Sequence, residues 1–268
     1  MIAPRLPLAR YGFGAATAGL GLALGAFIVL PLLALFTQGG PGALLRGLGH
    51  PVTIPALWLS MSTTMVALAI VLVAGTPLAW HLARARRTRW LEAVLNLPVV
   101  MPPSVAGIAL LLAFGRRGLL GHPLESLGWL PTFSTAAVVM AQVFVAAPFY
   151  LQAALVAFRH LDPGALAVAR SLGASPPRLF FQVVLPMARP ALIAGAATAW
   201  ARALGEFGAT LMFAGNIGGR TQTLPLAIYS TLEADLDATQ ALALVLVVVA
   251  FTLLLVVRRQ AAPAGGQS

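Results

Sequence analysis

Six long apolar blocks constrain this chain more than any other feature. The hydrocarbon core of a bilayer is about 30 Å thick and a helical residue rises about 1.5 Å, so about 20 mostly apolar residues make a span. Blocks of that kind run over about Tyr11–Phe36, Ala56–Leu82, Leu91–Phe114, Ser134–Phe158, Pro190–Phe213 and Ala241–Val257. The third contains Pro98, Pro102 and Pro103, and the fourth contains Pro148. Only 9% of the 268 residues are charged, against 59% hydrophobic, whereas a soluble domain carries about a quarter charged residues. The expected fold is all-α, with about six transmembrane helices and lipid as the main solvent. Arg5 and Arg10 precede the first block, but its charge-free length exceeds the roughly 7–15 residues of a signal-peptide core. It reads as an uncleaved anchor.

Loop charges give the orientation, since cytoplasmic loops carry the excess of basic residues. Arg5 and Arg10, then Arg84, Arg86, Arg87 and Arg89, then Arg159, Arg170, Arg178 and Arg189, then Arg258 and Arg259 all fall on one side. The alternate loops hold Arg46, Arg116, Arg117 and Arg220. Twelve arginines against four predict both termini in the cytoplasm. Glu233, Asp235 and Asp237 then fall outside. The net charge of +10 is thereby explained by topology, and no nucleic-acid partner is expected.

Absent residue types exclude chemistry. All seventeen basic residues are arginine, so there is neither a Walker A lysine for ATP nor a Schiff-base lysine. Without cysteine there are no disulfides, thiol nucleophiles or cysteine-held metals. His50, His81, His122 and His160 are scattered without metal-ligand spacing. No cofactor is expected in this chain.

The fourth loop is the longest on the arginine-rich side. Asp162 can cap a short helix with Pro163 at its first position, and Gly173 can end it. Ala174, Ser175 and Pro176-Pro177 follow, and then an amphipathic return to the membrane through Arg178. In the fifth block, Arg202 and Glu206 are four residues apart and expected on one helix face, where they can pair; two charges at that depth should not face lipid. Gly205 and Gly208 permit close helix approach. Pro102 and Pro103 should kink the third helix. Asn216, Thr221, Gln222 and Thr223 give an outer loop rich in neutral hydrogen-bonding groups, suited to the outer mouth or to a binding protein.

The spacing within the fourth loop resembles the signature cytoplasmic loop of ATP-binding-cassette import permeases. It reads Ala167-Val168-Ala169, Leu172-Gly173-Ala174-Ser175, nine residues from Gly173 to Val183, then Leu185-Pro186. In that family this loop forms the coupling helix that docks in a groove of the ATPase. The family usually has Glu where this chain has Ala167. The stretches Gly205-Glu206-Phe207-Gly208-Ala209-Thr210, Ala214-Gly215-Asn216-Ile217 and Arg220–Tyr229 are similar to the molybdate permeases. So are Pro77-Leu78-Ala79-Trp80, Leu97-Pro98, Met101-Pro102-Pro103 and Phe114-Gly115-Arg116-Arg117-Gly118. The resemblance covers about Ser60 to Arg259 and implies a type I importer permease fold in the bacterial inner membrane, as a homodimer. It implies two cytoplasmic ATPase subunits holding ATP and Mg, and a periplasmic oxyanion-binding protein. Molybdate is the implied cargo, with sulfate, thiosulfate or tungstate as alternatives; from another class, a channel or scaffold without an ATPase. The expected organisation is residues 1–55 as an N-terminal helix and outer loop, 56–259 as the permease core with its coupling loop at 159–189, and 260–268 as a disordered tail.

Overall fold

The computed structural model describes residues 8–40, 42–85 and 87–261, with side chains described between 17 and 255. Arg5, Arg86 and the tail residues 262–268 lie outside the described residues, as do the side chains of Arg10, Arg258 and Arg259. The order is α1 Leu8–Gln38, α2 Ala43–Gly49, α3 Thr53–Arg84, α4 Arg89–Val100, α5 Pro103–Phe114, α6 Gly121–Ser126, α7 Thr135–Arg159, α8 Pro163–Ser171 and α9 Pro176–Leu179. A π-helical turn, Phe180–Val184, leads into α10 Leu185–Leu204, followed by α11 Gly208–Ala214, α12 Leu224–Thr231 and α13 Leu236–Ala261. Among the described residues five helices are long and apolar enough to cross a membrane, and the broken pair α4–α5, counted as one span, brings the number to six.

Two of the expected spans are interrupted. The third block is not one kinked helix: α4 and α5 are separate, and their axes turn through 117°. The cause is local. A residue before proline is pushed out of the helical region; Met101 precedes Pro102 and Pro102 precedes Pro103, and their ψ angles are 134° and 137°. Pro31, Pro77, Pro98, Pro148 and Pro190 each stand alone and stay within helices. The fifth block also breaks, with α10 ending at Leu204 and α11 starting at Gly208. Here the Glu206 side chain takes up a backbone N–H and starts a new helix.

The organising element is α7, against which α3, α4, α10 and α11 pack. Its buried face is rich in alanine (Ala137, Ala141, Ala146, Ala154), which lets backbones approach where lipid supplies no hydrophobic drive. A Cβ on Gly195 of α10 would stand 2.6 Å from Ala153 Cβ of α7.

Hydroxyls on α3 stitch the bundle. Ser60 Oγ accepts the Leu224 N–H at 2.7 Å, Thr63 Oγ1 accepts from Gln142 Nε2 at 3.1 Å, and Thr64 Oγ1 accepts from Trp200 Nε1 at 3.1 Å. Both threonines return their own protons to carbonyls four residues back, so the hydroxyl is satisfied within its helix and its lone pairs are free for a neighbour. By contrast the Thr17–Gln38 part of α1 carries no charged residue and its most apolar stretch is unburied, as suits a helix bathed in lipid.

A close contact joins the two short segments. A Cβ on Gly107 of α5 would lie 2.6 Å from Met212 Cβ and 2.8 Å from the Ala209 carbonyl oxygen of α11. Gly107→Val is therefore expected to force these helices apart and to cost about 1–3 kcal/mol, read as a lowered thermal unfolding midpoint in detergent. Gly25→Val on α1, where no atom lies within 4 Å of such a Cβ, should leave it unchanged.

Candidate transport pathway and coupling loop

The breaks in the two interrupted spans meet. A Cβ on Gly208, the first residue of α11, would be 2.6 Å from Pro103 Cβ at the start of α5. Gly208 thus does allow close approach, whereas Gly205 is exposed and has room for a side chain within this chain. Pro102 and Pro103 are exposed at the same junction.

Glu206 holds the junction. It lies past the end of α10 and not on the same helical face as Arg202, yet Arg202 Nη2 reaches Glu206 Oε2 at 2.7 Å. The Oε2 contact is an ion pair without hydrogen-bond alignment. Oε1 accepts the Ala209 N–H at 2.8 Å, capping α11. The carboxylate is only 1% exposed and the arginine 29%. One carboxylate thus answers a half-buried cation with one oxygen and the α11 terminus with the other, as lipid demands of freed backbone donors.

An exposed stripe leads along α10 to this junction. Met187, Pro190, Ala194, Thr198, Ala201 and Gly205 are exposed at spacings of three and four, which is one helical face. It is uncharged, and its hydroxyl, on Thr198, bonds to the Ala194 carbonyl. Charge patterning could not reveal this face, because the stripe is set by what α7 and α3 leave uncovered.

The fourth loop forms the short helix expected of it. Asp162 accepts the Gly164 and Ala165 N–H groups at 2.8 and 3.3 Å, and Pro163 opens α8. Gly173 adopts φ +80° past its end, which favours glycine. Leu166, Ala169 and Ala174 pack inward, with Val183 and Leu185 partly buried beside them. Ala167, Gly173, Ser175 and Pro186 are exposed, as are Val168 at 61% and Leu172 at 82%. Because Asp162 caps α8, Ala167 leaves no capping role vacant; it faces outward. Beneath the helix lies an aromatic base in which Trp80, Phe158 and Phe180 have ring centroids 5.5–6.5 Å apart. Arg84 stands 4.5 Å above Trp80. The base joins α3, α7 and the π turn.

In the outer loop the hydrogen-bonding groups turn inward. Thr221 and Thr223 are buried. Thr221 Oγ1 accepts from the Ile217 N–H and donates to the Gly215 carbonyl. Asn216 reaches the Leu226 carbonyl and Gln222 reaches Ser230. Thr221 thus braces the loop, and the buried Thr223 hydroxyl has no partner among the described residues; Ile217, Gly218, Gly219 and Arg220 form the exposed rim.

Interrupted spans around a central helix, together with a capped cytoplasmic-type helix on an aromatic base, define a multi-pass membrane permease. The chain belongs to the binding-protein-dependent transport system inner membrane component family, which matches residues 72–262. It is 42% identical over 249 residues, 92% of each chain, to the molybdenum transport system permease protein ModB of Mycobacterium bovis. It is 36% identical over 202 residues to the protein of that name from Escherichia coli K12, covering 74% of this chain and 88% of the relative. A crystallised bacterial ABC transporter for import of the polysaccharide alginate shares the fold, with TM-score 0.76, 15% identity, and coverage of 95% of this chain and 96% of that one.

Removing one partner of a buried pair leaves a bare charge and costs about 3–5 kcal/mol. Arg202→Met is expected to cut folded yield sharply. Glu206→Gln, which keeps an oxygen for Ala209, should be milder than Glu206→Ala. The double variant Arg202→Met/Glu206→Gln should recover part of the Arg202→Met loss; unfolding midpoints of the four proteins measure this coupling.

Proposed function

We propose that this chain is the membrane subunit of an ATP-driven importer of molybdate, working as a homodimer. The observation that carries the substrate reading is the likeness to molybdenum transport permeases over nearly the whole chain. The geometry agrees with it. The α10 stripe and the exposed prolines of α5 offer an uncharged face to a second copy. A lining of small neutral groups suits transport, since a site that held the anion strongly would slow its release.

Energy comes from a partner, since no lysine is present to build a Walker A loop. Two cytoplasmic ATPases, holding ATP and Mg, dock on the exposed Val168 and Leu172 of the two α8 helices. Their closure is passed through the Trp80–Phe158–Phe180 base to α3, α7 and α10. Both termini lie in the cytoplasm, and a periplasmic binding protein delivers the oxyanion to the rim around Arg220. Return to the inward state releases it.

Proteoliposomes holding the chain with its ATPase and binding protein should take up molybdate only with ATP, and the chain alone should hydrolyse none. Competition with tungstate and sulfate ranks the cargo: stronger inhibition by sulfate than by unlabelled molybdate would reassign it. Deleting Leu172–Ser175 should abolish ATPase co-purification while membrane insertion persists. Co-purification at full yield would remove the coupling role from this loop.

A further inference from the structure

A second exposed face of α10 has a different character from the stripe. Arg189, Ile193 and Ala196 are centred about 140° around the helix from it, at 100° per residue. With Leu72 and Thr76 of α3 and Tyr150 of α7 they line an open groove of about 500 Å3. Its walls are mostly apolar. The two hydroxyls have spent their protons: Thr76 donates to the Leu72 carbonyl at 2.6 Å, so Tyr150 donates to Thr76 at 2.6 Å. Arg189 is exposed and, among the described residues, makes no ion pair or side-chain hydrogen bond. The groove therefore offers apolar surface and one uncommitted guanidinium.

Its depth in the bilayer follows from α3. Trp58 is exposed near the outer end of that helix, as suits a residue type enriched at membrane interfaces. Thr76 follows eighteen residues later, about 27 Å along the axis, close to the hydrocarbon thickness of about 30 Å. Thr76, Tyr150 and Arg189 thus sit at the interface on the arginine-rich side. Ile193 and Ala196 continue along α10 into the hydrocarbon.

We propose that this groove binds an anionic phospholipid, with its phosphate on Arg189 and an acyl chain along Leu72, Ile193 and Ala196. The chemistry selects this occupant. A free oxyanion gains nothing from apolar walls that strip its water. A zwitterionic lipid fills the groove but its own ammonium competes for the phosphate, whereas an anionic headgroup leaves its charge for arginine, and basic pockets between helices at this level suit such headgroups. A second copy of the chain is better matched to the other face, where the uncharged stripe runs into the junction of the two broken spans. The site is separate from the proposed route of the cargo and does not depend on which anion is carried.

The test uses the full-length chain, stripped of lipid in detergent and titrated with dioleoyl-phosphatidylglycerol, dioleoyl-phosphatidylcholine or sodium molybdate. Binding is read by native mass spectrometry and by the thermal unfolding midpoint. Phosphatidylglycerol is expected to bind and to raise the midpoint more than phosphatidylcholine. Arg189→Gln should weaken its binding about fivefold to tenfold, the scale of one basic contact. Ile193→Trp should also weaken it with the charge intact, by filling the groove. Equal binding of the two lipids, or unchanged phosphatidylglycerol binding in both variants, overturns the proposal. So does displacement of the lipid by molybdate, which would make Arg189 a site for free oxyanion. Because the chain has no cysteine, Ile193→Cys gives a clean crosslinking control. A disulfide-linked dimer in native membranes would put the groove in a protein seam and also overturn the proposal. Should Arg189→Gln fail to accumulate, the comparison of lipids on the unaltered chain and on Ile193→Trp decides.

Discussion

A backbone amide in hydrocarbon must find a partner inside the protein, and this chain breaks that rule's simplest solution twice. Continuous helices satisfy every amide within one segment. Here two helices stop in the apolar part of the chain, at Met101-Pro102 and at Gly205–Phe207. Much else in the bundle follows from making those stops tolerable. The prolines remove N–H groups where donors would be orphaned. Glu206 supplies an acceptor where a donor remains, and Arg202 makes that carboxylate bearable in a buried site. Gly107 and Gly208 let the two short segments lie against each other, with α7 closing over both.

The same logic separates parts that hold from parts that face outward. The buried polar residues Ser60, Thr63, Thr64, Gln142 and Glu206 bond to neighbouring helices or cap a helix end. The exposed face of α10 is small and neutral. Charges in the fourth loop lie around α8, while the centre of its outward face, Val168 and Leu172, is apolar. The loop thus presents a firm hydrophobic knob backed by aromatic rings.

Much of this was legible in the residues. Hydropathy placed the spans, because apolar length is a direct consequence of bilayer thickness. Asp162, Pro163 and Gly173 announced α8, since capping and a left-handed terminus are local requirements. The pairing of Arg202 with Glu206 could be anticipated from their charge and depth, but not the break between them: a spacing of four looks helical whether or not the helix continues. Adjacent prolines pointed to a kink, and only the two successive extended residues turned it into a separation. Thr221 and Thr223 looked available because composition does not reveal which way a hydroxyl faces. The groove at Arg189 and the stripe on α10 were out of reach, since both are defined by what neighbouring helices leave bare.

The π turn at Phe180–Val184 carries a consequence for the mechanics of the chain. A π turn holds about one residue more than an α turn, and one residue is about 100° of rotation. The segment thus acts as a phase shifter between α9, which belongs to the fourth loop, and the membrane part of α10. It lets Phe180 point into the aromatic base while Met187 and the stripe above it point away. Removing one residue from this turn would preserve hydropathy almost unchanged and leave a span of nearly the same length, but the two ends would be set to different compass bearings. Loop and pathway would then each be intact and no longer aligned with one another.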